Sequence, residues 1–195
     1  MHKPDDITAK DAGGNFSPHP EGLHPMICVD VVDLGPKVES FGGETFESHK
    51  LALVFVSGAK AESGEPIYVT REMTNSMGEK ANLRKFLEAW RGKSYRAEEA
   101  QQGVPIHKLH GQRALINVEH VLTKRGKTFA KISSVSPLPK EMTPPDGSLL
   151  SAYTRPKFLT DRKAQYAEDV RKFRATGGAH EPEAPAEDDD SSLPF

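Results

Sequence analysis

Cations interleaved with rings are the residues of this chain whose spacing could do chemistry on a ligand. Lys124, Arg125 and Lys127 crowd one short stretch, with Phe129 and Lys131 following at alternate positions. Tyr68 stands near Arg71, and Arg113 opens a later apolar run. A cation accepts any phosphate and a ring accepts any base. The combination therefore points to sequence-tolerant binding of single strands, with stacking worth about 1–3 kcal/mol per base. Tyr68, beside Thr70 and Glu72, is a better exposed ring than Phe55, which lies inside an apolar run; Phe41 and Phe46 are further candidates. Against this, most rings of a small β domain are core, and Lys-Arg-Gly-Lys is equally an ordinary solvated hairpin tip.

Enzymatic readings are poor. His107 and His110 stand three residues apart, but the eight histidines lack acid partners at metal-ligand spacing. Gly13-Gly14 is not followed by the Lys-Ser/Thr of a phosphate-binding loop. The single cysteine, Cys28, has no partner for an internal disulfide or a zinc thiolate pair, and reads as a buried strand residue. No catalytic residue, metal or cofactor is implied.

The last nine residues are Glu-Asp-Asp-Asp-Ser-Ser-Leu-Pro-Phe. A solubilising tail needs acids but not a terminal Leu-Pro-Phe. A partner can take Phe195 into an apolar pocket and its carboxylate onto a basic residue, while Asp188, Asp189 and Asp190 steer the encounter. Removing the six acids of residues 181–195 leaves 22 acids against 26 Lys and Arg, so a body of net +4 carries an acidic end.

These groups need elements to position them. Ile27, Val29 and Val31 alternate with Cys28, Asp30 and Val32, which predicts a half-buried strand. Val38 to Phe46 extends it into a hairpin around Gly42-Gly43; Leu51 to Val56 is strand-sized and apolar, and Ile67 to Met73 alternates again. Leu83, Phe86, Leu87 and Trp90 then fall at i, i+3, i+4 and i+7, one face of a helix. Ser76 and Glu79 have capping-box spacing, and Gly92 is a stop. Lys80, Arg84, Lys85 and Arg91 lie largely off that stripe; Lys80, Arg84 and Lys85 read equally as a wet face or, with Arg71, as part of a cationic field. A second helical turn starts near Arg96. Strands over Ala114–Val118 and Phe129–Val135 flank a hairpin tip, and Leu159 to Phe173 approximates one face of a charged helix.

Three strands, a helix and two strands match a five-stranded Greek-key barrel with its helix between strands three and four, an order that other small α+β folds share. The chain divides into an N-terminal arm over 1–22, a β domain over 23–140, a Pro-containing linker with room for a short helix over 141–180, and an acidic tail over 181–195. There is no apolar run of membrane-spanning length, and Met1 to Phe16 lacks the basic-then-apolar pattern of a secretory signal, so a cytoplasmic protein without membrane contact is expected.

The acidic tip resembles that of bacterial single-stranded DNA-binding proteins, where an acidic run ends in a short apolar stretch closing with Pro-Phe. Ser191 and Ser192 lengthen the junction here. Gly13-Gly14-Asn15-Phe16, the stretch Glu79 to Trp90 and the stretch Ile132 to Pro139 are similar to phage or prophage single-stranded DNA-binding proteins. The resemblance implies an oligonucleotide-binding (OB) barrel and single-stranded DNA as ligand. It also implies a non-catalytic role in replication, recombination or repair, with host or phage replication and recombination proteins docking on Asp188–Asp190, Leu193, Pro194 and Phe195. A lone barrel holds few nucleotides, which makes a homo-oligomer attractive. The competing reading is a protein-interaction module without DNA affinity.

Overall fold

The computed structural model describes residues 18–123 and 126–177. The first strand, β1 (Gly22–Phe41), turns at Gly42-Gly43 into β2 (Glu44–Lys60), and β3 (Pro66–Thr74) follows. Both turn glycines have positive φ, +59° and +88°, the geometry that a two-residue hairpin between twisted strands requires. Next come α1 (Asn82–Arg91), α2 (Ala97–Gln102), a 3₁₀ turn (Ile106–Leu109), β4 (Arg113–Leu122) and β5 (Thr128–Ser136). Residues 141–177, read from sequence as a linker with room for a short helix, hold α3 (Ser148–Ala152) and the 19-residue α4 (Lys157–Ala175).

The five strands form one antiparallel sheet in the order β3-β2-β1-β4-β5. This corrects the expected OB-type Greek-key barrel. Closure would require a ladder between the edge strands β3 and β5, and none joins them among the described residues. What spans the gap is a side chain, since Arg71 Nη1 donates to the Ile132 carbonyl at 2.6 Å, together with α1, which touches both strands. The edge strands approach each other, but a side-chain bond and not a backbone ladder joins them.

The faces of the sheet bury separate apolar layers. Met26, Cys28, Leu53, Phe55, Ile116 and Ile132 pack with Leu83, Phe86, Leu87 and Trp90 of α1. On the other side Ile27, Val29, Val32, Leu34, Ala52, Val54 and Val56 meet Leu159, with Tyr153, Phe158 and Tyr166 against them. The expectation of a half-buried β1 is therefore corrected: α4 covers its second face. Irregularities between Cys28 and Asp30 and between Asp33 and Gly35 shift its parity, so Val31 joins the α1 side while Val32 and Leu34 stay with Val29. The capping box is also absent. Ala81 precedes α1 without a side-chain cap, and Ser76 Oγ accepts the Gly78 N–H at 3.2 Å instead. Gly92 ends the helix as read, at φ +66°.

Polar clamps fasten the C-terminal segment over its apolar layer. The Asp30 carboxylate, in a residue only 9% exposed, accepts Tyr153 OH at 2.9 Å and the Arg155 guanidinium at 2.7 and 2.9 Å. Glu72 accepts Tyr166 OH at 2.7 Å and Arg162 Nη1 at 3.1 Å. Burial pushes the Asp30 carboxyl up, but the bonds from Arg155 and Tyr153 outweigh it and hold the group below its ordinary range. A depressed carboxyl stabilises the fold above its unfolded pKa, about 4, and that contribution fades as pH falls through the folded value. The stability difference between wild type and Asp30→Asn should thus be full at pH 6 and shrink below about pH 4, as urea melts across pH 2–6 would read. A difference that stays constant with pH would show that the clamp does not depend on the charge.

Candidate functional site

A groove of about 700 Å³ opens beside α1, within the range of small-ligand sites. Three stretches of the sequence form it: Leu87 to Tyr95, Val104 to Arg113, and Pro137 to Pro144. Its apolar lining includes Leu87, Trp90 and Leu109 with Pro137, Leu138 and Met142; Arg91, Lys108, Arg113 and Lys140 supply four cations. No Asp or Glu lines it among the described residues. Such a site suits an anion that also carries an apolar or planar part.

The sequence positions each wall. Trp90 completes the apolar stripe of α1, lies 5.3 Å from Phe55 between ring centroids, and donates its indole N–H to the Arg113 carbonyl at 2.8 Å. That bond ties the end of α1 to the start of β4. Gly92 lets the chain turn, and a Cβ there would come within 3.0 Å of Pro137 Cγ, so the helix end abuts the exit from β5. Beyond it, Arg84 Nη2 donates to the Tyr95 carbonyl at 2.9 Å, and Glu88 accepts the Tyr95 N–H at 2.8 Å and Arg84 Nε at 3.0 Å. The Tyr95 N–H and then Arg84 hold the Glu88 carboxyl below its ordinary range. So fixed, Tyr95 lies under the Arg91 guanidinium, whose Cζ is 4.2 Å from the ring centre. Across the groove, Gly111 N–H donates to the Cys28 carbonyl at 2.8 Å and Cys28 N–H to the Gln112 carbonyl at 2.9 Å, which pins the lead-in to β4. Burial pushes the Cys28 thiol itself up to about 12, making it a packing group.

Of the residues singled out from sequence, Arg113 lies in this groove. Tyr68 is half-buried on the α4 side, edge-on to Tyr153 at 5.3 Å. Arg71 bridges to β5. Phe129 is buried, and Lys131 is half-buried with Glu119 as its register partner. Lys127 is exposed past the far end of β4, about 30 Å from Arg113 at strand rise. Phe46 and Phe55 are core, and Phe41 is exposed at the β1–β2 turn. Lys124, Arg125 and the tip residues Asp188, Asp189, Asp190, Leu193, Pro194 and Phe195 lie outside the described residues. Sequence reasoning missed Arg91, Lys108, Lys140 and Tyr95 as site residues. Their local patterns carry no signal, because the groove exists only once the three stretches meet.

No family model matches the chain, and no curated protein matches it. The resemblance to phage single-stranded DNA-binding proteins thus gains nothing from the comparisons, and the open sheet overturns the OB identification it implied. No helix among the described residues is long and apolar enough to cross a membrane.

Trp90 serves both core and groove. Trp90→Ala should cost about 3–5 kcal/mol in urea unfolding, as large aromatic truncations do. Trp90→Phe keeps a ring and should cost less, mostly the bond to the Arg113 carbonyl, roughly 1–3 kcal/mol. Wild-type stability in Trp90→Ala would contradict the packing described.

Proposed function

We propose that this chain is a non-catalytic cytoplasmic protein that binds single-stranded DNA in the groove and recruits replication, recombination or repair proteins through residues 187–195. The observation that carries the DNA reading is the set of four cations, Arg91, Lys108, Arg113 and Lys140, around an apolar lining with no carboxylate among the described residues. Phosphates pair with the cations without regard to sequence, and bases pack against Tyr95 under Arg91 and against the proline wall. The groove seats a short stretch of strand, so a longer footprint calls for several copies of the chain.

The proline wall (Pro137, Pro139 and Pro144) also favours a second reading, a docking site for an acidic peptide with an apolar end. Trp90 is the only tryptophan and lines the groove, so its emission reports occupancy by either ligand. Titrations should compare single-stranded DNA, single-stranded RNA and duplex DNA with an Asp-rich peptide ending in Leu-Pro-Phe. On the DNA reading, the combined variant Lys108→Gln, Arg113→Gln, Lys140→Gln weakens single-strand binding at least tenfold. It also lowers the log–log salt slope by about 2, since three phosphate contacts contribute about 0.7 each. An unchanged slope in the folded variant removes the groove as the DNA site, and a response to the peptide alone favours docking.

The tip should separate from the DNA site in function. Phe195→Ala leaves every acid in place, so DNA affinity should hold while capture of replication and repair proteins from bacterial lysate fails. Retention of every wild-type partner in pull-downs would reduce the tail to a solubilising segment.

A further inference from the structure

Three histidines meet where the chain enters β1. His19 is fully buried; its Nδ1–H donates to the Pro20 carbonyl at 2.9 Å, and its Nε2 faces Ser57 Oγ of β2 at 2.7 Å. A ring that donates from Nδ1 is neutral when Nε2 accepts, which assigns the Ser57 hydroxyl as the donor to Nε2. His24 of β1 stands edge-on to this ring, centroids 4.6 Å apart, and its Nε2 donates to the Glu21 carbonyl at 3.0 Å. From β4, His120 Nε2 donates to the His19 carbonyl at 2.8 Å. Glu21 brings a carboxylate to the cluster, but it accepts the backbone N–H of His120 at 2.8 Å rather than a ring proton.

We propose that His19, packed against His24 and tied to His120, is a pH-operated latch that fastens residues 18–24 to β2 and β4 while its ring is neutral and releases them when it gains charge. Burial holds His19 below its ordinary value, and the neighbouring His24 and His120 act in the same direction, against the pull of the Pro20 carbonyl. In the released segment the ring meets water and takes a proton near the ordinary histidine value, about 6.5. The open form therefore binds more protons than the closed one. The latch is fully closed above about pH 6.5 and loosens as pH falls through and below that value.

Hydrogen exchange on the full chain at pH 7.5 and 5.5, corrected for the intrinsic pH dependence of exchange, tests the latch. Protection of residues 18–24 should fall at least tenfold at pH 5.5 while the core of β2, Leu51 to Val56, keeps its own. In His19→Gln the amide can still donate to the Pro20 carbonyl but cannot charge, and the fall should be clearly smaller. Equal protection of residues 18–24 at both pH values in wild type, or an undiminished fall in a folded His19→Gln variant, would overturn the proposal. Proton NMR titration of the wild-type rings gives a second readout that needs no variant. His19 should titrate below the ordinary value and together with the loss of protection; an ordinary, independent midpoint would sink the idea.

Discussion

β1 is apolar on both faces, and covering those faces dictates the position of nearly every other element. Ile27, Val29, Val32 and Leu34 point one way, Met26, Cys28 and Val31 the other, and each fully buried aliphatic side chain is worth about 1.5–3 kcal/mol. A single covering layer would leave one row in water. The chain supplies two, α1 between β3 and β4, and α3 with α4 after β5. A strand of 20 residues cannot stay flat over such a span, and the two irregularities in its register let it bend while keeping large side chains inside.

Charge is distributed to match. The face under the C-terminal segment carries Asp30, Glu47 and Glu72, and that segment answers with Arg155, Arg174 and Arg162. The Arg174–Glu47 pair is more exposed and contributes little on its own, whereas Asp30 is buried enough that leaving it unpaired would be costly. Sheet carboxylates are thus neutralised on the α4 side. On the α1 side no carboxylate lines the groove among the described residues; Arg91 pairs with Glu99 at 3.8 Å, and Lys108, Arg113 and Lys140 make up the rest of the positive field an anion meets.

Local patterns in the sequence were enough to place the strands and the α1 stripe, because period-2 and period-3.6 burial leave marks in adjacent residues. Leu83, Phe86, Leu87 and Trp90 are an example: each is buried where its spacing puts it. Closure of the sheet was not legible in the same way. β3 and β5 come close and are joined by the Arg71 side chain and not by a ladder, and no residue pattern in either strand records that. The packing of α4 was half legible. Leu159 and Val170 mark its buried face, but its importance rests on Asp30 and Glu72, more than 80 residues away in sequence. Capping failed as a local rule because the Ser76 hydroxyl is engaged in the preceding turn.

The groove shows why the candidate site was the least legible part. Arg113 could be marked from its place before an apolar run, but its partners reach it through tertiary contacts. The indole of Trp90 holds the Arg113 backbone, Gly92 sets the helix end against Pro137, and the Arg84–Glu88 pair orients Tyr95 beneath Arg91. The residues that pack the core therefore also fix the spacing of the cations. A surface loop could present the same four charges, yet it would lose conformational entropy on ordering them around a ligand. Here folding has already met that cost for the backbone, so the groove offers a partly preorganised field, and only the long Lys108, Arg113 and Lys140 side chains remain to be ordered on binding.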